Sequence, residues 1–406
     1  MVKDGRVVKA GAFQDVVADH PDAQVIDERG SYLLPGFVDT HVHLPQLAVV
    51  GSMGFTLLDW LRERTFPEEL RFADPDYALK RSAQLLERLV RNGTTSALVF
   101  GAHQQAAMEQ FFGAAAGSGL RIAAGLVLGD ENLPDGLKTT PERARAQSLA
   151  LARKWHGHGR LRYAVTPRFS VSASDALLAA CGEIMAELDD LLFTTHLNEM
   201  PGEVQVVAER FPDTEDYLET YGRHGLVTER SLFAHNVHPT ADELVRLAKG
   251  GSSVCHCPSS NLFLGSGLFP LAAHVNAGVR VALGTDIGAG TSYSVPGEAL
   301  HAYMHQMNRP DGWPLAPAQL LHLATRAGAL ALGLPESGGF EPGMAFDAVF
   351  LKPRPASTLE ARLAEARGSE DALSALITLA GEDAVRHVLV GGEWLLRDGQ
   401  LTGSPA

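Results

Sequence analysis

Residues 35–43 read PGFVDTHVH, a short apolar run that ends in two histidines at positions 41 and 43. A buried run with a polar end is typical of a parallel strand covered on both faces. Similar runs recur along the chain at Thr94–Gly101, Arg121–Gly129, Leu161–Phe169, Leu191–Glu199, Ser231–His238, Ser252–Ser260 and Val279–Ile287. Segments with helical periodicity lie between them, for example residues 74–93 and 141–155. Strands that alternate with helices in this way predict a parallel (β/α)₈ barrel of the TIM type.

The two ends of the chain do not follow this pattern. Residues 1–33 and 340–406 contain short β runs and no helix-length pattern, and GG at 391–392 suggests a turn between two of these runs. We predict one small composite β-sandwich domain built from both ends, with the barrel over residues 34–339. Two separate decorations are the alternative for the ends. A doubly wound open sheet is the alternative for the barrel, although no glycine-rich dinucleotide turn follows the first strand.

Composition narrows the class of protein. The 406 residues include 34 Lys+Arg and 48 Asp+Glu, which gives a formal charge of −14 and no basic stripe for nucleic acid. Three cysteines are too few for a disulfide framework and favour a reducing, cytoplasmic location. No apolar run reaches the ~20 residues of a membrane span. We therefore expect a cytoplasmic globular protein that binds neither nucleic acid nor membrane.

Metal-ligating residue types fall at the predicted strand ends. His41 and His43 are two residues apart, so both side chains point to the same side of their strand. His196 and Asp286 end the fifth and eighth strands, which meet the first at the C-terminal mouth of a barrel. Three imidazoles and one carboxylate suit a divalent cation, zinc first and iron second.

Two further residues at the same mouth suit the chemistry of such a site. A bound cation lowers the pKa of its water to ~7, and hydrolysis then needs a group that moves protons. Glu199, three residues after His196, is placed to be that group, and Asp286 could share the role. His235 ends the sixth strand and is expected to orient water or to polarise the bond attacked.

The motifs that carry these residues, PGFVDTHVH, THLNE, FAHNVH and GTDIG, resemble the metal-binding strands of the amidohydrolase superfamily. The resemblance implies His41, His43, His196 and Asp286 as ligands. The two-metal members carry a carboxylated lysine at the end of the fourth strand, where this chain reads AVTPRFS. One ion per chain is therefore expected.

A longer series of motifs resembles the guanine deaminases within that superfamily: HVHLPQ, WLRERTFPEE, TPRFS, HLNE, FAHNVH, HCPSSNLFLGSG and GTDIGAGTSYS. This resemblance implies a hydrolase that converts the purine base guanine to xanthine and ammonia, commonly as a homodimer. It implies catalytic roles for Glu199, His235 and Asp286. The residues implied to bind substrate are Gln46, Arg168, Phe169, His196 and His235.

Alternatives remain for the activity and for single features. The substrate could instead be another purine, a pterin or a triazine, and a remote alternative is an inactive barrel used as a scaffold. Cys255 and Cys257 are interpreted as structural residues on a strand. Residues 259–267 are expected to form a loop over the mouth, because their glycines permit close turns.

Overall fold

The computed structural model describes residues 1–403. Its main sheet consists of parallel strands, each paired with the next along the chain: Phe37–His43, Thr94–Phe100, Arg121–Gly125 with its continuation Val127–Leu128, Leu161–Pro167, Leu192–Leu197, Ser231–His235, Ser253–His256 and Arg280–Leu283. Beyond the last strand, the amide of Asp286 donates to the carbonyl of His41 at 2.7 Å, and the amide of His43 donates to that of Ile287 at 2.8 Å. These bonds bring the eighth strand's end to the first strand. The barrel prediction is confirmed, and the open sheet is excluded.

Helices surround this sheet in the expected alternation. Their bounds are Pro75–Arg91, Gln105–Ser118, Pro141–Trp155, Asp175–Glu187, Pro201–Arg210, Glu219–Gly222, Ala241–Gly250, Pro258–Phe263, Leu271–Ala277, Val295–Met307, Pro317–Ala324 and Arg326–Ala331. Local sequence explains their limits. The Asp74 carboxylate accepts from the Asp76 amide at the start of the first helix, and Gly93 follows its end with φ +78°. Such caps satisfy backbone groups that have no partner within a helix.

The segment between the first strand and the first long helix carries several short helical pieces instead of one regular element. They are Leu44–Val49, Leu57–Trp60, the π-helical turn Leu61–Thr65, Phe66–Leu70 and Arg71–Ala73. This segment lies at the mouth of the barrel, where its residues line the cavity described below. Single π turns are frequent at functional sites.

The chain termini form an antiparallel sheet together. Its strands run in the order Gln400–Leu401, Glu393–Arg397, Val385–Val390, Ala348–Leu351 and Tyr32–Pro35, so one N-terminal strand completes four C-terminal ones. A hairpin of Val2–Lys3 and Arg6–Val7 bridges to Ala345. The composite β-sandwich domain is confirmed, and two separate decorations are excluded. The division at residues 33/34 and 339/340 stays a prediction.

Parts of the terminal regions are helical, which the sequence did not predict. Phe13–Asp19, Thr358–Ala364 and Ser369–Leu379 are α-helices, and Glu382–Ala384 is a single 3₁₀ turn; another such turn, Asp135–Leu137, lies in the barrel. Phe13–Asp19 has only seven residues and buries none of its side chains, and its apolar residues Phe13, Val16 and Val17 are too few to distinguish a helix from the short β runs around it. Ser369–Leu379 packs against the barrel helix Val295–Met307.

The prediction of a loop at the barrel mouth is also partly wrong. Residues 258–263 are helical, whereas the sequence placed a loop at 259–267. Pro258 stands in the first turn of this helix, where the missing N–H of proline leaves no backbone group unsatisfied. Only the remainder is irregular, with Gly265 and Gly267 at φ +71° and +131°.

An ion pair joins the two parts of the fold. Arg121, at the start of the third barrel strand, donates Nε to Oδ2 of Asp347 at 2.8 Å and Nη2 to Oδ1 at 3.1 Å. Asp347 is buried and precedes a strand of the terminal sheet.

Within residues 1–403, no helix is both long enough and apolar enough to cross a bilayer.

Candidate active site

Four donor atoms from three distant parts of the chain converge at the barrel mouth. Nε2 of His43 lies 3.1 Å from Nε2 of His41 and 3.3 Å from Nε2 of His196. Oδ1 of Asp286 lies 3.3 Å from the His41 nitrogen and 3.2 Å from the His43 nitrogen. Donors arranged tetrahedrally at ~2.0–2.1 Å from a zinc ion are about 3.3 Å apart. The spacing and chemistry of this donor set therefore fit one divalent cation.

Neighbouring groups fix the orientation of these side chains. Nδ1 of His196 donates to the carbonyl of Arg168 at 2.7 Å, which leaves the Nε2 lone pair facing the cluster. The carboxylate of Asp39 accepts from the amide and hydroxyl of Thr285 at 3.0 and 2.5 Å. That contact holds the chain just before Asp286 against the first strand.

The protonation states of the cluster suit a cation. Burial lowers the pKa of His41 to about 4 and holds that of His196 well below its ordinary value. Burial by itself would raise the pKa of Asp286, but hydrogen bonds from His41 and His43 outweigh it and hold that pKa well below its usual range. At neutral pH His41 and His196 are therefore neutral and Asp286 is ionised, as metal ligands must be.

Glu199 and His235 lie next to the cluster. Nε2 of His235 is 3.6 Å from Oε2 of Glu199 and 3.9 Å from Oδ2 of Asp286. Nδ1 of His235 lies 3.0 Å from Oδ1 of Asn261 and donates to it, which fixes the orientation of the ring. Burial raises the pKa of Glu199 well above its ordinary value, and the charge of Asp286 adds to the effect. A buried carboxyl that keeps its proton can act as a general acid.

The backbone at this mouth is held in an uncommon conformation. His235 and Asp286 have φ of +70° and +50°, in the left-handed region that residues other than glycine seldom occupy. Each stands where its strand ends or just after it. Such strain is tolerated where surrounding structure over-determines a residue, and it clusters at functional sites.

A cavity of about 340 Å³, a volume that includes its open mouth, adjoins the four donors. Its lining residues are His43, Gln46, Leu57, Trp60, Leu61, Arg168, Phe169, His196, Glu199, His235, Leu264, Asp286 and Ala289. Every residue that the sequence singled out for the site lines this cavity except His41, which lies beneath it. Their individual roles stay predictions.

Sequence reasoning missed Glu69, a buried carboxylate beside this cavity. Nη1 of Arg168 donates to both of its oxygens, at 2.7 and 2.8 Å, and Nε2 of Gln46 donates to Oε1 at 3.2 Å. Burial would raise the pKa of Glu69, but the charges of Arg168 and His103 hold it at about 2. Glu69 is therefore ionised, and its contacts leave Arg168 in a buried ion pair.

Glu69 ends the motif WLRERTFPEE, which carries part of the resemblance to the guanine deaminases, but the pattern of this motif did not mark Glu69 as a site residue. Glu69 lies in the irregular segment at the barrel mouth and not at a strand end. Glu68 beside it is also buried, so an alternation of buried and exposed residues does not single out Glu69. His103 was missed as well; its Nε2 lies 3.3 Å from Oε2 of Glu69. Trp60 lines the cavity, and its indole N–H has no hydrogen-bond partner among the described residues.

The two cysteines near the mouth are both buried. Their sulfur atoms are 3.6 Å apart, and the hydroxyl of Thr40 donates to the Cys255 sulfur at 3.0 Å. Sγ of Cys257 lies within 4.8 Å of donor atoms on His41, His235 and Asp286. Cys255 thus packs in the barrel, whereas Cys257 borders the donor cluster.

Known proteins resemble this chain in sequence and in fold. The model of the Amidohydrolase family matches residues 32–395. This chain belongs to the amidohydrolase family. Its resemblance to the guanine deaminases within that family is also confirmed by full-length relatives. A probable guanine deaminase of Deinococcus radiodurans is 53% identical over 394 residues, which cover 96% of this chain and 90% of that protein.

Solved structures of the family agree with this assignment. The structure of E. coli guanine deaminase superimposes with a TM-score of 0.94 at 38% identity, covering 98% of this chain and 92% of the other. Guanine deaminase from C. acetobutylicum, solved with guanine bound in its active site, has a TM-score of 0.89 at 27% identity and covers 97% and 93% of the two chains. The family's architecture therefore extends over nearly the whole chain.

Proposed function

We propose that this protein is a guanine aminohydrolase, which converts guanine and water to xanthine and ammonia. The observation that carries the proposal is the convergence of three imidazoles, Asp286 and a protonated Glu199 on one cavity, in a chain similar over its length to guanine deaminases. The same convergence argues against an inactive scaffold, which has no need of a buried donor set.

The metal in this proposal is one zinc ion per chain, with iron as the second choice. His41, His43, His196 and Asp286 would hold it. Such an ion, when bound, lowers the pKa of a coordinated water and so supplies hydroxide at neutral pH. The fourth strand, Leu161–Pro167, offers no lysine for a second ion, which supports the single-ion form.

Glu199 moves the protons. Its raised pKa gives it a proton to donate to a ring nitrogen beside the carbon that bears the amine. Once the hydroxyl group has added to that carbon, the Glu199 carboxylate accepts the hydroxyl proton and passes it to the amine, which leaves as ammonia. The proton that the next water loses on becoming hydroxide returns to the Glu199 carboxylate, so guanine and water become xanthine and ammonia and Glu199 ends the cycle protonated. His235, with its Nε2 facing Glu199 and Asp286, orients the attacking oxygen.

Three residues of the cavity hold the flat, neutral base. Phe169 presents an aromatic ring. Arg168 has N–H groups beyond the two that Glu69 accepts. One amide hydrogen of Gln46 remains free, because Glu69 accepts the other. Oε1 of Gln46 accepts a hydrogen bond from the Gly288 amide at 3.3 Å.

The cellular setting completes the proposal. We place the enzyme in the cytoplasm, where its three buried thiols remain reduced. We also propose a homodimer, by analogy with similar enzymes.

The experiment is a substrate panel. Purified protein with its metal content measured would be incubated with guanine, adenine, a pterin and an aminotriazine, and ammonia release would be followed. The proposal expects release from guanine, with xanthine formed in equal amount, and at least 100-fold lower kcat/KM for the others. Strong release from another compound and none from guanine would overturn the substrate assignment.

A further inference from the structure

Glu69 contacts both polar residues assigned to the base, although it does not itself line the cavity. It is 2% exposed and ionised, and it lies on the short helix Phe66–Leu70. Nothing in the proposed reaction uses this carboxylate. A buried charge with no part in the chemistry calls for another explanation, because burying it is unfavourable unless its partners are fixed.

The hydrogen bonds of Glu69 determine which atoms of Arg168 remain free. Nη1 is directed at the Glu69 carboxylate and donates to both of its oxygens. No described residue accepts a hydrogen bond from Nε or Nη2. These two nitrogens form the side edge of the guanidinium, whose parallel N–H groups bind two adjacent acceptors at once. Phe66 limits rotation further, since its ring centre is 5.4 Å from Cζ of Arg168.

A purine with a carbonyl at position 6 offers a matching pair of acceptors. O6 and N7 are adjacent, and arginine binds this pair with two hydrogen bonds in other recognition settings. A 6-amino group would put a donor against a donor. Binding through O6 and N7 also directs the opposite side of the ring, which carries the 2-amino group, away from Arg168.

We propose that Glu69 is a positioning residue that turns the Nε–Nη2 edge of Arg168 toward the ligand and so makes the site selective for 6-oxopurines. This inference rests on the proposed function for the identity of the pocket. Glu69 also balances the charge of Arg168, which suits a neutral base. The residue acts through Arg168 and Gln46 and does not touch the reacting atoms.

The test compares two unreactive ligands that differ at position 6. Hypoxanthine has the carbonyl and purine lacks it, and neither carries a 2-amino group to be lost. Dissociation constants of both would be measured calorimetrically on the metal-loaded protein. The variants are Glu69→Gln, which keeps the shape and removes the charge, and Glu69→Asp, which keeps the charge. Glu68→Gln is the matched control, since Glu68 is buried on the same helix but bonds Arg71 and Tyr77.

We expect the wild type and Glu68→Gln to bind hypoxanthine at least tenfold more tightly than purine, as a charged hydrogen-bond pair contributes roughly 10- to 100-fold. Glu69→Gln should reduce this preference below threefold, with metal content unchanged, and Glu69→Asp should retain part of it. If Glu69→Gln weakens the binding of both ligands equally, the role of Glu69 is merely structural. If Glu69→Gln keeps the wild-type preference for hypoxanthine, Glu69 does not set that preference. Either result overturns the inference. Absence of guanine turnover in the wild type, with the preference still dependent on Glu69, would overturn only the proposed function.

Discussion

The backbone carbonyl of Arg168 accepts a hydrogen bond from Nδ1 of His196 at 2.7 Å. The residue assigned to the base thus also fixes the orientation of a proposed metal ligand. The same carbonyl accepts from the hydroxyl of Thr195 at 3.3 Å. A group assigned to the base, at the end of the fourth strand, is therefore hydrogen-bonded to a proposed metal donor on the fifth strand, and this contact preorganises the two relative to each other.

Replacing Glu199 by Gln should remove the proton carrier while keeping the shape of the site. We expect kcat on guanine to fall by roughly 10²–10⁴, the usual contribution of general acid–base catalysis. Metal content should not change, because Glu199 is not among the four converging donors. Ammonia release and elemental analysis measure the two effects. Glu209→Gln, an exposed acid on the following helix, is the control, and near wild-type turnover by Glu199→Gln would refute the assignment.

Removing the metal should destabilise the protein. An ion at 1,000 times its Kd stabilises the folded state by about 4 kcal/mol. Thermal unfolding before and after chelation should therefore differ by several degrees, and added Zn²⁺ should restore the original Tm. In Asp286→Asn the difference between the Tm values before and after chelation should shrink markedly, because one of the four donors loses its charge. A chelation effect that is equal in this variant would place the ion elsewhere.

Glu298 should make stability depend on pH. Burial raises the pKa of its carboxyl from 4.5 to about 8, against hydrogen bonds from Ser259. The folded state thus prefers the protonated form. Its stabilising contribution is full below about pH 4.5 and is lost as the pH rises through 8, with a magnitude of up to about 5 kcal/mol.

Glu298→Gln should flatten this dependence, because the amide does not titrate. Urea unfolding at pH 5, 6.5 and 8 gives the comparison. The exposed residue Glu365 supplies the control Glu365→Gln, which should follow the wild type. If Glu298→Gln has the same pH slope as the wild type, Glu298 is ionised in the folded protein.

The ion pair between barrel and terminal sheet should contribute strongly to stability. Besides Arg121, Asp347 accepts from the hydroxyl of Ser337 at 2.9 Å and the amide of Gly391 at 2.7 Å. Asp347→Ala leaves the partly buried guanidinium of Arg121, whose side chain is 15% exposed, without its partner; removing one partner of a fully buried pair typically costs about 3–5 kcal/mol, which is the upper bound here. Asp135→Ala, which breaks an exposed pair with Lys138, should change the free energy of unfolding by less than about 1 kcal/mol. Equal effects of the two substitutions would contradict this role.

The strand ends could be read from the sequence because a barrel imposes a regular pattern. Buried runs ending in His43, His196 and His235 recur with helices between them, and the C-terminal ends of parallel strands meet at one mouth. The strand limits themselves were less accurate: the eighth strand ends at Leu283, whereas the prediction extended it to Ile287. Residues 284–287 still hydrogen-bond to the first strand through Asp286 and Ile287, but the positive φ of Asp286 does not continue the strand.

Glu69 and Trp60 could not be assigned in this way. They come from residues 44–73, where short helical pieces follow one another without a common period. Their approach to Arg168 depends on how that segment folds over the mouth, which is a tertiary property. The helix at Pro258–Phe263 was likewise hidden by a composition typical of loops.

Anomalous diffraction from crystals of the metal-loaded protein, recorded on both sides of the zinc absorption edge, locates the ion itself. We predict one peak per chain, at about 2.0–2.2 Å from Nε2 of each histidine in the cluster and from an oxygen of Asp286. A peak that lies outside these four side chains, or none in protein that turns over guanine, would contradict the single-ion site on which the proposed chemistry depends.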